Sequence, residues 1–256
     1  MNDRELAIRL ARRLGIGRPA AEPGFGPFLG EAVRHRWSVE EAEAAWKTRQ
    51  EAEEVRRASP GGLGAWAEEW DACRRCGLHR TRSRVVHGRG SVPADVLVVG
   101  EGPGPEEDRQ GVPFVGPAGF MLDRALREFG EDGSSGSVSF YVANLVACYM
   151  GEIRRPEAVE VDACLPRLLE VVRTVQPWVV LLVGAQPLYH LLGLGPVEAH
   201  RGKLLAWERE GLCVHAVATW HPAGVLRSQD PARMRQIRED VRVVRRAVEG
   251  FRSTLF

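Results

Sequence analysis

Cys73 and Cys76 are separated by two residues, and Cys148 and Cys164 by fifteen. The chain reads as cytosolic, and thiols kept in a reducing compartment stay free rather than forming disulfides. A C-x2-C turn presents two thiolates to one metal ion or one iron–sulfur cluster. Structural zinc competes for such a set, because four thiolates suit either group. Zinc ribbons usually use two C-x2-C turns, whereas the second pair here spans a loop and the first turns of an expected helix. Cys213, inside an apolar run, reads as a small core residue.

Between the pairs lies GEGPGPEEDRQGVPFVGPAG, Gly100–Gly119, and beyond them WHPAGVLR, Trp220–Arg227. The first stretch fails as a dinucleotide fingerprint. The third glycine of G-x-G-x-x-G would fall on Pro105, and Pro103 and Pro105 remove backbone donors that a pyrophosphate needs. What remains is a rigid turn of small residues that lets a planar ligand approach the main chain. His221 ends the apolar run Leu212–Trp220, and after it Val225 or Leu226 could supply an apolar wedge, with Arg227 on phosphate.

The elements that must position these residues alternate. Asp95–Gly100, Ser139–Val146, Trp178–Gly184 and Leu212–Thr219 read as strands. Pro117–Phe129, Pro156–Val175, Ala185–Leu192 and Pro231–Phe251 read as helices. That alternation predicts an α/β fold, a mainly parallel four-stranded sheet with helices on both faces. The Gly-rich turn, Asn144 and His221 each follow a strand, so they should meet at the carboxyl edge of the sheet. Residues 1–60 differ in texture. Glu5–Leu14 and Val39–Ala58 read as amphipathic helices, the second opened by a capping box at Ser38-x-x-Glu41. Ser59-Pro60-Gly61-Gly62 marks the expected boundary between an N-terminal helical extension, 1–60, and the main domain, 61–256. The extension either packs on the main domain or contacts DNA or a protein partner.

With 44% hydrophobic and 27% charged residues the composition is that of a globular domain. No apolar run reaches membrane-spanning length, which argues against a membrane protein and for the cytoplasm. A net charge of +1 means that any nucleic-acid affinity must come from a local basic face.

The Gly100–Gly119 stretch, Asn144-Leu-Val-Ala-Cys148, the gap to Cys164 and His221-Pro222-Ala223 together resemble the family 4 uracil-DNA glycosylases, the iron–sulfur, thermophile-type group. Cys73–Gly104, the run VQPWVVLLVGAQPLYHLLG and the RGKLLAW segment are similar to that family as well, so the resemblance extends from about Trp66 to Arg227. It implies a uracil-DNA glycosylase-like fold and a monofunctional hydrolase of N-glycosyl bonds. Such an enzyme removes uracil from single- or double-stranded DNA and leaves an abasic site for base excision repair. It also implies a structural 4Fe–4S cluster on Cys73, Cys76, Cys148 and Cys164, a monomer, and no cofactor in the chemistry.

Residue by residue, the resemblance has Phe114 stack on a flipped uracil and Asn144 read its Watson–Crick edge, accepting from N3–H and donating to O4. Glu107 would crowd C5 and exclude a methyl group, and His221 would stabilise charge building at O2. Gly102 stands where other branches carry an aspartate, which leaves Glu101 as the candidate to orient water. The chain departs from the family after the third cysteine. Ala147 replaces a lysine, and Tyr149–Pro156 replaces a proline-rich basic stretch, leaving Arg154 and Arg155 for phosphate. Two rivals follow from that departure: a catalytically weak iron–sulfur nucleic-acid-binding protein, and a glycosylase for another deaminated base such as hypoxanthine.

Overall fold

The computed structural model describes residues 64–127, 138–151 and 154–253, with isolated positions at 9, 13, 38–40 and 43. The chain separates into two units, Met1–Glu54 and Val55–Phe256. In the first, Arg9, Arg13, Val39, Glu40 and Glu43 have helical backbone, and Arg13 pairs with Glu40 and Glu43 at 2.5 and 2.6 Å. The rest of the two expected N-terminal helices and the Ser59–Gly62 break lie outside the described residues.

In the second unit six strands form one sheet: β1 (Arg89–Gly90), β2 (Val96–Gly100), β3 (Phe140–Asn144), β4 (Val179–Val183), β5 (Leu204–Arg209) and β6 (Leu212–Thr219). Their order is β1-β3-β2-β4-β6-β5. The four expected strands are the parallel centre of this sheet, and β1 and β5 add antiparallel edges that the sequence pattern did not reveal. β1 is only two residues long, and β5 is half exposed along its length. β5 turns into β6 through Glu210 and Gly211, both at positive φ (48° and 77°), the geometry of a two-residue hairpin.

Eight α-helices are described in this unit, α1 (Gly64–Asp71), α2 (Pro105–Gln110), α3 (Pro117–Arg127), α4 (Ala158–Val175), α5 (Ala185–Leu192), α6 (Val197–His200), α7 (Pro222–Ser228) and α8 (Pro231–Ser253), with a short 3-10 turn at Gly77–Arg80. Every residue of β2 and β4 is buried, which is why both read as unbroken apolar runs. Val96 and Val98 pack with Leu122 of α3 and Ile237 and Val241 of α8, while Leu97 and Val99 face Leu165, Leu168 and Leu169 of α4. Each such fully buried side chain stabilises the fold by about 1.5–3 kcal/mol.

Cys213 is exposed, contrary to the core role expected of it. It lies where β6 pairs only with the edge strand β5, opposite Glu208, so its outer face is wet. Among the described residues no helix is long and apolar enough to cross a membrane.

The register sets the site. Gly100 is paired with Asn144, and Val183 with Thr219, so the four parallel strands end level. The chain leaves β2 towards β3 on one side and leaves β4 towards β6 on the other. The loops after β2 and β4 therefore diverge, and divergence at that point opens a crevice at the carboxyl edge.

Candidate active site

A cavity of about 630 Å³ opens at this crevice. Glu101 and Gly102 reach it from the turn after β2, Phe114 from the loop before α3, Asn144 from the end of β3, Gln186 from the start of α5, and His221 from the exit of β6. The structure thus gathers the stretches that follow separate strands into one chamber.

Asn144 is almost fully buried, and its Oδ1 has no hydrogen-bond partner within the protein. A buried acceptor without a protein partner is costly, and because Asn144 lines the cavity a donor entering there could satisfy it. A Cβ at Gly100 would overlap both that oxygen and the Phe114 ring, so the bare glycine is what lets the two approach. Overpacking of this kind costs about 1–3 kcal/mol. Gly100→Ala should therefore lower the melting temperature by roughly 2–12 °C. An unchanged melting curve would contradict the packing described.

Phe114 holds φ at 55°, an uncommon conformation for a residue with a side chain. Glu107 explains how it is kept there. Its Oε1 accepts from the amides of Val115 and Gly116 at 3.0 and 2.9 Å, and its Oε2 accepts from the Gly104 amide at 3.1 Å. Glu107 was expected to crowd a base at C5. Its carboxylate accepts from three backbone donors and clasps the 104–107 turn to the 114–116 loop, and the residue lines the cavity from that position. Gly119 completes the fit, because a Cβ there would overlap the Phe114 main chain.

His221 caps α7, its Nδ1 accepting from the Ala223 amide at 3.1 Å. A backbone N–H can only donate, so Nδ1 carries no proton and the neutral ring carries it on Nε2. Desolvation, assisted by the nearby Arg227 cation, pushes the pKa from 6.5 down to about 4. The ring is partly accessible through the cavity mouth, yet protein surrounds it closely enough to disfavour the charged form. It stands near-parallel to Phe114, 25° between planes and 6.1 Å between centroids. The site therefore offers an uncharged donor beside an aromatic face and an open acceptor. Burial raises the pKa of Glu101, while Arg155 and Arg227 pull it the other way.

The four cysteines of the two pairs line a second, separate cavity together with Arg82 and Leu78. Burial pushes the Cys148 thiol up to about 11 against the opposing pull of Arg82, and burial raises Cys76 as well. Arg82 Nη1 donates to Cys148 Sγ at 3.3 Å, and the Ala147 amide donates to Cys164 Sγ at 3.4 Å. Donors aimed at sulfur suit thiolates, and a bound metal would supply the remaining drive to deprotonate them. Among the described residues no three His, Cys, Asp or Glu side chains form a group that could hold a metal ion. Thiols bound to one zinc would stand about 3.8 Å apart, from Zn–S bonds of about 2.3 Å in a tetrahedron. Four thiols lining one small cavity are a donor set that suits a thiolate-held metal centre.

One expected DNA contact is corrected, and another is already engaged within the protein. Val225 is buried in the core cluster of α8, so it cannot act as a wedge, whereas Leu226 is 38% exposed. Arg154 reaches the cavity rim, but its guanidinium grips both oxygens of Glu160 at 2.8 and 2.6 Å. Arg155 and Arg227 are exposed on the rim. Gln186, Tyr149 and Met150 line the cavity without having been singled out. Gln186 was findable, since it follows the β4 run by the same strand-end rule that picked out Glu101.

The family model described as Uracil DNA glycosylase superfamily matches residues 87–242. The type-4 uracil-DNA glycosylase of Saccharolobus solfataricus is 31% identical, the match covering 74% of this chain and 88% of that protein. That of Pyrobaculum aerophilum is 36% identical over 66% of this chain and 86% of its own length. That of Thermotoga maritima is 35% identical over 68% of this chain and 88% of its own.

Proposed function

The chain belongs to the uracil DNA glycosylase superfamily, and from that premise we infer that it excises uracil from DNA in base excision repair, as a monofunctional glycosylase that leaves an abasic site. The observation that carries the reading is the pairing of an open, buried Asn144 Oδ1 with a neutral His221 beside Phe114 in one cavity.

A base inside a duplex is out of reach, so the nucleotide flips into the cavity. Phe114 stacks on its face. Asn144 Oδ1 accepts from uracil N3–H while its Nδ2 donates to O4. Cytosine has an amino group and no N3 proton, which would leave the buried oxygen facing a lone pair. As the bond between C1′ and N1 breaks, its electron pair passes to the base and settles largely on O2, where His221 Nε2–H donates. A neutral donor suits this task, because the charge that develops meets a positioned dipole without a proton having to be acquired first. Water, oriented by the Glu101 carboxylate, adds to C1′ of the oxocarbenium-like sugar and gives up one proton, and the departing uracil anion takes up one, so that neutral uracil and an abasic sugar hydroxyl result. Gly102, beside Glu101, lets this turn pack against Val146 and Met150, because a Cβ there would meet Val146 Cγ2 at 2.9 Å.

Arg155 and Arg227, both exposed on the rim, would take phosphates, and Leu226 would fill the gap that the flipped base leaves. Arg155→Glu should weaken binding to all sequences alike and reduce the log–log salt slope by about 1, without changing which base is removed. A change in base choice would contradict this assignment. Cys73, Cys76, Cys148 and Cys164 would hold a 4Fe–4S cluster, which supplies a structural cross-link and no step of the chemistry.

The test uses oligonucleotides carrying uracil, hypoxanthine or mismatched thymine, treated with the protein and then with alkali. Strand cleavage at uracil alone is expected. Cleavage at none of the three would refute the proposal, and cleavage only at hypoxanthine would reassign the base.

A further inference from the structure

Arg167 lies in α4 with none of its surface exposed. Its Nη2 donates to the main-chain oxygen of Asn144 at 2.5 Å and its Nη1 to that of His87 at 3.1 Å. Its Nε is buried without a partner. Both described acceptors are neutral carbonyls, an unusual home for a buried cation, since buried charges are normally paired with opposite ones.

The strand register explains the arrangement. β1 pairs with β3 through Arg89↔Val142 and Gly90↔Tyr141, so continuing that ladder would set His87 opposite Asn144. The ladder stops at Arg89. Buried carbonyls beyond its end still need donors, and the guanidinium provides them, bridging His87 and Asn144 where a strand partner is missing. On the other flank the Leu145 amide donates to Gly100 at 2.8 Å, and the Val146 amide to Glu101 at 3.2 Å. The peptide after Asn144 is therefore gripped by β2 on one side and by Arg167 on the other.

We propose that Arg167 is a positioning residue for base reading: its guanidinium bridge from His87 to Asn144 fixes the direction in which the Asn144 amide enters the cavity. This rests on the reading of Asn144 given above. Arg167 touches no substrate; it acts through the main chain of the residue that does. A planar fork with two parallel donors suits the task, and a lysine, with a single point charge, could hold only one carbonyl firmly at a time.

Two binding measurements separate positioning from a general structural role. Free uracil, as product inhibitor, engages the base-reading part of the cavity, whereas DNA carrying an abasic site engages the rim and has no base for Asn144 to read. For Arg167→Met the uracil inhibition constant should rise about 10- to 100-fold, the scale of losing a charged hydrogen bond, with abasic-DNA affinity within about twofold of wild type. kcat/KM on uracil DNA should fall in parallel, and Arg167→Lys should recover part of the loss. Unchanged uracil inhibition in folded Arg167→Met would overturn the proposal. So would equal losses for uracil and abasic DNA, which would mean general loosening. Should Arg167→Met fail to fold, the ratio of the two losses in Arg167→Lys decides by the same rule. Wild-type protein that is neither inhibited by uracil nor active on uracil DNA would refute the underlying reading of Asn144 instead, a result distinguishable from either variant's behaviour.

Discussion

His221→Ala should slow the chemical step on uracil DNA by roughly 10²–10³-fold while leaving DNA affinity nearly intact, because it removes one donor aimed at developing charge. The deficit should appear in single-turnover rate and not in half-saturation. The pH dependence gives a sharper signature. A histidine of ordinary pKa, 6.5, would titrate near neutrality, but desolvation holds this ring down to about 4. Nδ1 is therefore already unprotonated throughout the neutral range while Nε2 keeps its proton, and the rate should be flat from about pH 6 to 8 with respect to this group. As pH falls, Glu101 should protonate before His221 gains its charge, because burial raises the carboxyl above its usual value. The acid limb should accordingly shift or flatten in Glu101→Gln and persist in His221→Ala. A rate that follows a titration near pH 6.5 in the wild type, lost in His221→Ala, would show that the imidazolium is the working form and contradict the tautomer assigned here.

Replacing Cys76 or Cys164 by Ser should have the largest effect on stability. The cysteines lie on three separate segments, the turn after α1, the exit of β3 and the first turns of α4, which the proposed cluster would tie together. Tyr149, Met150 and Arg155, which line the candidate active site, lie in the stretch between Cys148 and Cys164. Thr81, beside Arg82, also holds that stretch through its hydroxyl, which donates to the Tyr149 carbonyl at 2.8 Å. A cross-link on the scale of a native disulfide contributes about 2–5 kcal/mol, or roughly 4–20 °C in melting temperature for a domain of this size. Purified wild-type protein should contain iron and sulfide and absorb broadly in the visible. Either variant should lose colour, melt lower and lose uracil excision together. Zinc without iron in protein prepared anaerobically would contradict the cluster. Intact activity in a bleached variant would contradict the link between the cysteines and the cavity wall.

How far the sequence alone reaches can be seen at particular residues. The buried strands β2 and β4 are continuous apolar runs, so the parallel centre of the sheet and its carboxyl edge were legible, and with them the meeting of Glu101, Asn144 and His221. The edge strand β5 was not, since alternating exposure along Leu204–Arg209 resembles a polar loop. α2 was read as part of a rigid turn, because Pro105 hides the helix that it begins. Val225 and Leu226 are adjacent apolar residues, and only the packing of α7 on α8 decides that one is core and the other surface. That Arg154 pairs with Glu160, one turn into α4, was likewise invisible in the sequence. Glu107 illustrates the same limit: a carboxylate at N3 of a short helix could point out or back, and here it points back to three amides. Arg167 was hidden most thoroughly. A lone arginine in the apolar stretch Leu165–Val172 reads as a helix's wet face, and its role depends on a ladder that ends two residues early.

The central claim is that the base is read by the Asn144 amide within this cavity. Asn144→Asp tests it most directly, because a carboxylate can accept hydrogen bonds but not donate to O4, and can accept from a cytosine amino group. Free bases released from matched uracil- and cytosine-containing oligonucleotides should be separated by chromatography and quantified for both proteins. The account predicts that wild type releases uracil and no cytosine, and that Asn144→Asp releases less uracil and measurable cytosine. A folded Asn144→Asp protein that keeps the wild-type uracil rate and strict rejection of cytosine would contradict it.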